Sequence, residues 1–125
     1  MPLPITSITA SIAAIMLIVL SMITGMQRMK TGILLGPGSD EMLLRRIRAH
    51  GNFTEYVPIA LILIGLAEGA GTSANVLWTM AGLLIFGRLL NAYSILSGKA
   101  VPFRPISMMA THASILTGVV VLLWR

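Results

Sequence analysis

Arg45-Arg46-Ile47-Arg48-Ala49-His50-Gly51-Asn52-Phe53-Thr54-Glu55-Tyr56-Val57-Pro58 is the stretch whose reading decides the fold. It is polar, and it runs directly into the apolar segment Ile59-Ala60-Leu61-Ile62-Leu63-Ile64-Gly65-Leu66-Ala67. Arg48, Asn52 and Glu55 are spaced i, i+4, i+7, so a helix sets all three on one face, and Arg45 extends that face by nearly a turn. The result is a ladder of cation, amide and carboxylate about 10 Å long. Residues 57–67 alone are too short to cross about 30 Å of hydrocarbon at about 1.5 Å per residue. If this helix spans a membrane, part of the polar segment must enter the membrane zone. Pro58 removes one helical hydrogen bond and predicts a bend beside Glu55.

Composition requires the membrane. The chain has 125 residues, of which 56% are hydrophobic and 10% charged. Soluble domains carry about 25% charged residues, and the mean hydropathy here is +0.90. A soluble globular domain and a disordered chain are both excluded. Outward from the ladder, residues 3–26 carry no charge and are followed by Arg28 and Lys30. That run lacks the basic start of a secretory signal and is too long for one, so it reads as a retained span. Gly36-Pro37-Gly38 marks a turn, and Ser39 or Asp40 can cap the helix that follows, with Glu41 in its first turn. The expected fold is all-α, one domain over 1–125, an integral-membrane bundle with helices at about 4–30, 40–68, 74–97 and 105–125.

Charge sets the orientation. Arg28, Lys30, Arg45, Arg46 and Arg48 flank the first loop, and Lys99 and Arg104 sit in the third; the second loop has no Lys or Arg. Basic loops stay cytoplasmic, which places both termini outside. The excess of 9 Lys+Arg over 4 Asp+Glu is not interleaved with aromatics, so nucleic acid is not the expected partner. There is no cysteine, and two histidines among few acids make no metal site.

Ionisable groups at membrane depth usually face a bundle interior or an aqueous cavity. Arginine offers a fork to carboxylates, Glu55 a partner for an ammonium, and Asn52 both a donor and an acceptor. This set suits a small zwitterionic or anionic ligand. The competing reading is internal: Glu55 pairs with Arg88 or Arg48 and only fixes packing. Arg88 and Asn91 share a face (i, i+3) and point to the bundle interior. Arg104, between Pro102 and Pro105, meets either lipid headgroups or a ligand. His112 reads as neutral and hydrogen-bonded between helices.

The segment Arg48-Ala-His-Gly-Asn52-Phe-Thr-Glu55-Tyr56-Val-Pro58 resembles the signature of the MAPEG superfamily, the membrane-associated proteins in eicosanoid and glutathione metabolism. Thr24-Gly25-Met-Gln-Arg28-Met-Lys30, Gly87-Arg88 and Pro102-Phe-Arg104 resemble a prostaglandin-synthesising member, and the Arg-x-His-Gly-Asn run is similar to small bacterial members. The resemblance implies a homotrimer with glutathione between subunits at the cytoplasmic side. It makes Arg28, Arg48, Asn52, Glu55, Tyr56, Arg88, Asn91 and Tyr93 glutathione-binding and Arg104 the stabiliser of the thiolate. Where the prostaglandin-synthesising member has polar contacts, this chain has Gly51, Ile95, Pro105 and Met108.

The expected activity is that of an inner-membrane glutathione transferase or peroxidase acting on a lipophilic electrophile or hydroperoxide delivered from the bilayer. The alternative is a non-enzymatic protein that holds a lipid or small ligand in the inter-subunit groove. A third reading, a proton-coupled exporter titrating Glu55, conflicts with the arginine-rich surroundings, which favour an ionised carboxylate.

Overall fold

The computed structural model describes residues 2–99 and 103–124. It holds four helices: α1 (Pro4–Thr31), α2 (Glu41–Gly69), α3 (Ala74–Ser97) and α4 (Phe103–Leu123). The last begins two residues before the expected 105, so Phe103 and Arg104 lie in its first turn. Pro102, part of one quoted motif, lies outside the described residues, as does Arg125. Pro58 does not interrupt α2, which continues as one helix through it.

Each end of α2 is fastened to α1. At one end Asp40 caps α2: its Oδ2 accepts from Leu43 N at 2.8 Å and from Gln27 Nε2 at 2.9 Å. Gln27 and then the Leu43 amide hold the Asp40 carboxyl below its ordinary range, against a smaller desolvation effect and with help from Arg46 and Lys30. Arg46 Nη1 donates to Ile23 O at 2.8 Å nearby. At the other end, α1 begins at Pro4 behind Leu3, which supplies no side-chain cap. Glu68 substitutes for one. Its carboxylate accepts from Ile5 N (2.9 Å), Thr6 N (2.7 Å) and Thr6 Oγ1 (2.6 Å). A carboxylate at a helix N-terminus satisfies free N–H groups and meets the positive end of the dipole.

By length and composition α1, α3 and α4 can each cross a bilayer, and α2 does not qualify. The clasps resolve this. Because α2 is tied to α1 near residue 27 and again near residue 6, it runs alongside α1 for the whole crossing. Asn52 and Glu55 are thus carried to the depth of the apolar part of α1. The chain is an integral membrane protein.

The core lies where α2 and α3 meet their neighbours: α1 packs on α2 and α3, α4 packs on α3 and α2, and α1 and α4 lie apart. Ala49, Phe53, Val57, Ala60 and Ile64 present one stripe of α2 to Ala13 and Leu20 of α1 and to Met80, Leu84 and Ile95 of α3. The α3–α4 seam uses small and hydroxyl residues, which let membrane helices approach closely. Ser107, Thr111, Ser114 and Gly118 line it on α4, and Ser114 Oγ donates to Met80 O at 2.7 Å. Closest approach falls at Gly87, where an added Cβ would lie 2.7 Å from Thr111 Oγ1 and 2.9 Å from Ser107 O.

Candidate functional site

The polar ladder of α2 splits along its length. Asn52 turns inward and is 8% exposed, whereas Arg48 and Glu55 face outward. The cause is helical rotation. Asn52 lies nearest the stripe of Ala49 and Phe53 that packs on the core, and the other two lie on its far flank.

Inside, Asn52 meets Arg88. Arg88 is only 2% exposed. Its Nη1 donates to Asn52 Oδ1 at 2.7 Å and to Asn52 O at 3.4 Å. Nε and Nη2 donate to Thr111 Oγ1 at 3.1 and 2.8 Å, and Nη2 also meets Met108 Sδ at 3.5 Å. The cation sits over the Tyr56 ring, 5.3 Å from its centroid. Tyr56 in turn packs edge-on against His112, with 5.8 Å between centroids. Asn91, equally buried, donates through Nδ2 to Ser107 Oγ at 3.4 Å and to Met108 Sδ at 3.6 Å. Asn52, Tyr56, Arg88 and Asn91 therefore form one internal cluster.

No carboxylate joins it. Among the described residues the one side-chain ion pair is Arg45 with Glu41, at 2.8 Å. The pairing of Glu55 with Arg88 or Arg48 that the sequence left open is not made. His112 is exposed and meets a ring, where a hydrogen bond between helices was expected.

Toward the end where the basic loops lie, Arg45, Arg48 and Arg104 line one cleft of about 320 Å³ with Glu41, Ser94 and Ile95. Gly98 ends α3 in the left-handed conformation (φ 74°), and the Arg45 guanidinium lies so close that an added Cβ there would come within 3.0 Å of it. This places a cation at the negative end of α3, which has no basic residue in its own last turn. Arg45 is thus engaged by Glu41 and the helix end. Arg48 and Arg104 have no carboxylate partner among the described residues. Their charges are available to an anion entering the cleft.

The remaining candidates lie elsewhere in the single chain. Arg28 donates through Nη1 to Ile33 O (3.2 Å) and Gly36 O (2.9 Å), bracing the loop that follows α1. Tyr93 is half exposed and packs edge-on against Phe103, 5.9 Å between centroids. Glu55 stands on the outer face of α2. Beside it an apolar groove of about 300 Å³ opens between α1 and α2, lined by Ala10, Ala14, Leu17, Thr54 and Pro58 among others.

Sequence reasoning missed Thr111, Ser107 and Glu41. The spacing of Ser107, Thr111, Ser114 and Gly118 opposite Gly87 is a readable signal for a polar seam. Glu41 was read only as a first-turn acid, although its i, i+4 spacing to Arg45 is a readable signal for the exposed ion pair.

The sequence model of the MAPEG family matches residues 6–124. The inner membrane protein YecN of Escherichia coli strain K12 is 29% identical over 120 residues, covering 96% of this chain and 91% of that protein. YecN of Escherichia coli O6:H1 strain CFT073 is similar to the same extent. The family match takes in the polar ladder, the buried arginine and the arginine opening α4, and the chain belongs to the MAPEG family.

Proposed function

We infer that this protein is a membrane-embedded glutathione transferase or peroxidase of the inner membrane, acting as a homotrimer with its site at the cytoplasmic side. The observation that carries this is the cleft where Arg48 and Arg104 stand without carboxylate partners. Glutathione brings two carboxylates, an ammonium and a thiol. Arg48 holds a carboxylate and Arg104 lies by the sulfur, where a guanidinium favours the thiolate. Glu55 takes the ammonium, and Arg28 and Tyr93 complete the site from neighbouring walls. The outward position of Glu55 at membrane depth supports the trimer, because a carboxylate there is costly to leave against lipid.

In transfer, the thiolate sulfur bonds to an electrophilic carbon; in substitution the displaced group leaves with its bonding pair, and in addition to a conjugated double bond the π bond breaks and its pair takes up a proton. In peroxide reduction, the thiolate attacks the distal oxygen. The O–O bond breaks and the alcohol leaves after protonation. A second glutathione then converts the sulfenic acid to disulfide and water. The apolar groove between α1 and α2 offers the lipophile a place beside Glu55.

One observation favours the second reading, a protein that holds a ligand without turnover. Ile95 lines the cleft with an apolar wall where the prostaglandin-synthesising member carries a tyrosine. Calorimetric titration of the detergent-solubilised protein with glutathione, with thiolate followed by ultraviolet absorbance, separates the two. Binding with a thiolate signal that Arg104→Ala removes, while the oligomer persists, is expected. Binding without thiolate favours the ligand holder, and no binding refutes both glutathione roles.

A further inference from the structure

Arg88 is the largest fully buried side chain among the described residues, and none of the clefts described above includes it. Its contacts point to a part different from ligand binding. Arginine has donors only, so the atom of Asn52 that it grips at 2.7 Å must be the carbonyl oxygen. That grip decides which way the Asn52 amide faces. The opposite end, Nδ2, finds no acceptor among the described residues, although no fully buried side-chain nitrogen or oxygen lacks a partner. Nδ2 is therefore not fully buried and keeps some accessible surface, on the residue that stands between Arg48 and Glu55 in the ladder of α2. Arg88 is itself held rigidly. Thr111 Oγ1 takes two of its N–H groups, Tyr56 lies under its face, and Gly87 lets α4 come close enough for Thr111 to reach it.

We propose that Arg88 is a positioning residue: from the bundle interior it fixes the Asn52 amide so that Nδ2, a donor, is what a ligand meets. This rests on the proposed glutathione site and adds to it a polarity. The ligand group at Asn52 must be an acceptor, a carbonyl or a carboxylate. The buried charge also lacks a counter-ion among the described residues, and it biases the same strip of α2 toward anions.

The test uses the whole protein in detergent, labelled with ¹⁵N-asparagine. The chain has three asparagines, Asn52, Asn75 and Asn91, so three side-chain amide pairs appear, and Asn52→Ala assigns its own by loss. Arg88→Lys keeps the charge and loses the fork. It should move the Asn52 pair, leave the Asn75 pair in place, and weaken glutathione binding about tenfold or more. Combined with Asn52→Ala, it should weaken binding no further, because coupled residues do not add. Thr111→Val removes the second anchor, should act in the same direction more weakly, and is decisive if Arg88→Lys fails to assemble. An Asn52 pair unmoved by either variant overturns the proposal, as do binding losses that multiply. If glutathione leaves the wild-type Asn52 pair unmoved while Arg88→Lys moves it, the positioning role stands and the glutathione reading fails.

Discussion

Gly87→Ala tests whether the α3–α4 seam sets the position of Arg88. The new Cβ would sit 2.7 Å from Thr111 Oγ1, 2.9 Å from Ser107 O and 3.1 Å from Thr111 N. Two of these three atoms are backbone and cannot rotate away. At 2.9 Å the carbonyl oxygen is about half an ångström inside ordinary contact, so α4 must move bodily. Overpacking of this kind costs about 1–3 kcal/mol. Gly82, five residues earlier on the same helix, is the control. Nothing lies within 4 Å of its added Cβ, and Gly→Ala in a helix interior favours the helix by about 0.5–1 kcal/mol. Thermal unfolding in detergent, followed by tryptophan fluorescence, should show Gly87→Ala clearly less stable than wild type and Gly82→Ala equal to it or better. Because Thr111 carries two bonds from Arg88, Gly87→Ala should also move the Asn52 amide signal. Equal stability of the two variants would refute the reasoning, since it would mean the seam yields freely.

Glu68→Gln should loosen the start of α1, because a neutral amide with one oxygen cannot accept all three bonds that the carboxylate takes from Ile5 and Thr6. Hydrogen exchange at those two amides should quicken about tenfold, with the opposite end of α1 unaffected. The Asp40 clasp should be sensitive to acid. Its carboxyl is held below the ordinary value by Gln27 and Leu43, so the folded state binds the proton less readily than the unfolded one. The stabilisation is complete above the unfolded pKa of about 3.9 and is lost as pH falls through the lowered folded value. The melting temperature of wild type should therefore drop more steeply than that of Asp40→Asn as the pH falls below the unfolded value; parallel curves would count against the clasp.

Three of the four helices were legible as spans because long, largely apolar runs admit few other readings, and the turn residues between the helices are plain, whereas the course of α2 follows from its ties to α1. The ladder was legible as a face but not as a divided one. Spacing of i, i+4, i+7 fixes angular proximity, and it does not say where the packing boundary falls within that arc. Here the boundary lies between Asn52 and its neighbours, and neighbouring helices decide that. Arg88 read correctly as interior, since an arginine amid apolar residues has few other places to go. That its partners on α4 are Thr111 and Met108 depends on the α3–α4 register, which the crowding at Gly87 and the bond from Ser114 to Met80 O hold. The loop role of Arg28 was hidden for a similar reason: its acceptors are backbone carbonyls, which every sequence has.

The divided ladder also bears on why α2 tolerates a membrane at all. A helix with this many charges needs a neighbour for each polar side it presents. The inner side is satisfied within the chain, since Asn52 binds Arg88 and the clasps at Asp40 and Glu68 tie both ends to α1. The outer side is not. Glu55 stands exposed nine residues beyond Arg46, about 14 Å deeper along the axis, with no ion partner among the described residues. Arg48, two turns away on the same flank, is equally open. A single copy would set this flank against lipid, at a cost of about 2.5–3.5 kcal/mol for an ionised group near the bilayer centre on insertion scales. The proposed trimer removes that cost by closing the flank against a second copy, and the same closure leaves an arginine and a carboxylate facing a water-filled seam. On this reading the residues that make α2 a poor membrane helix are those that make it a binding wall, and folding of the site and assembly of the subunits are one event.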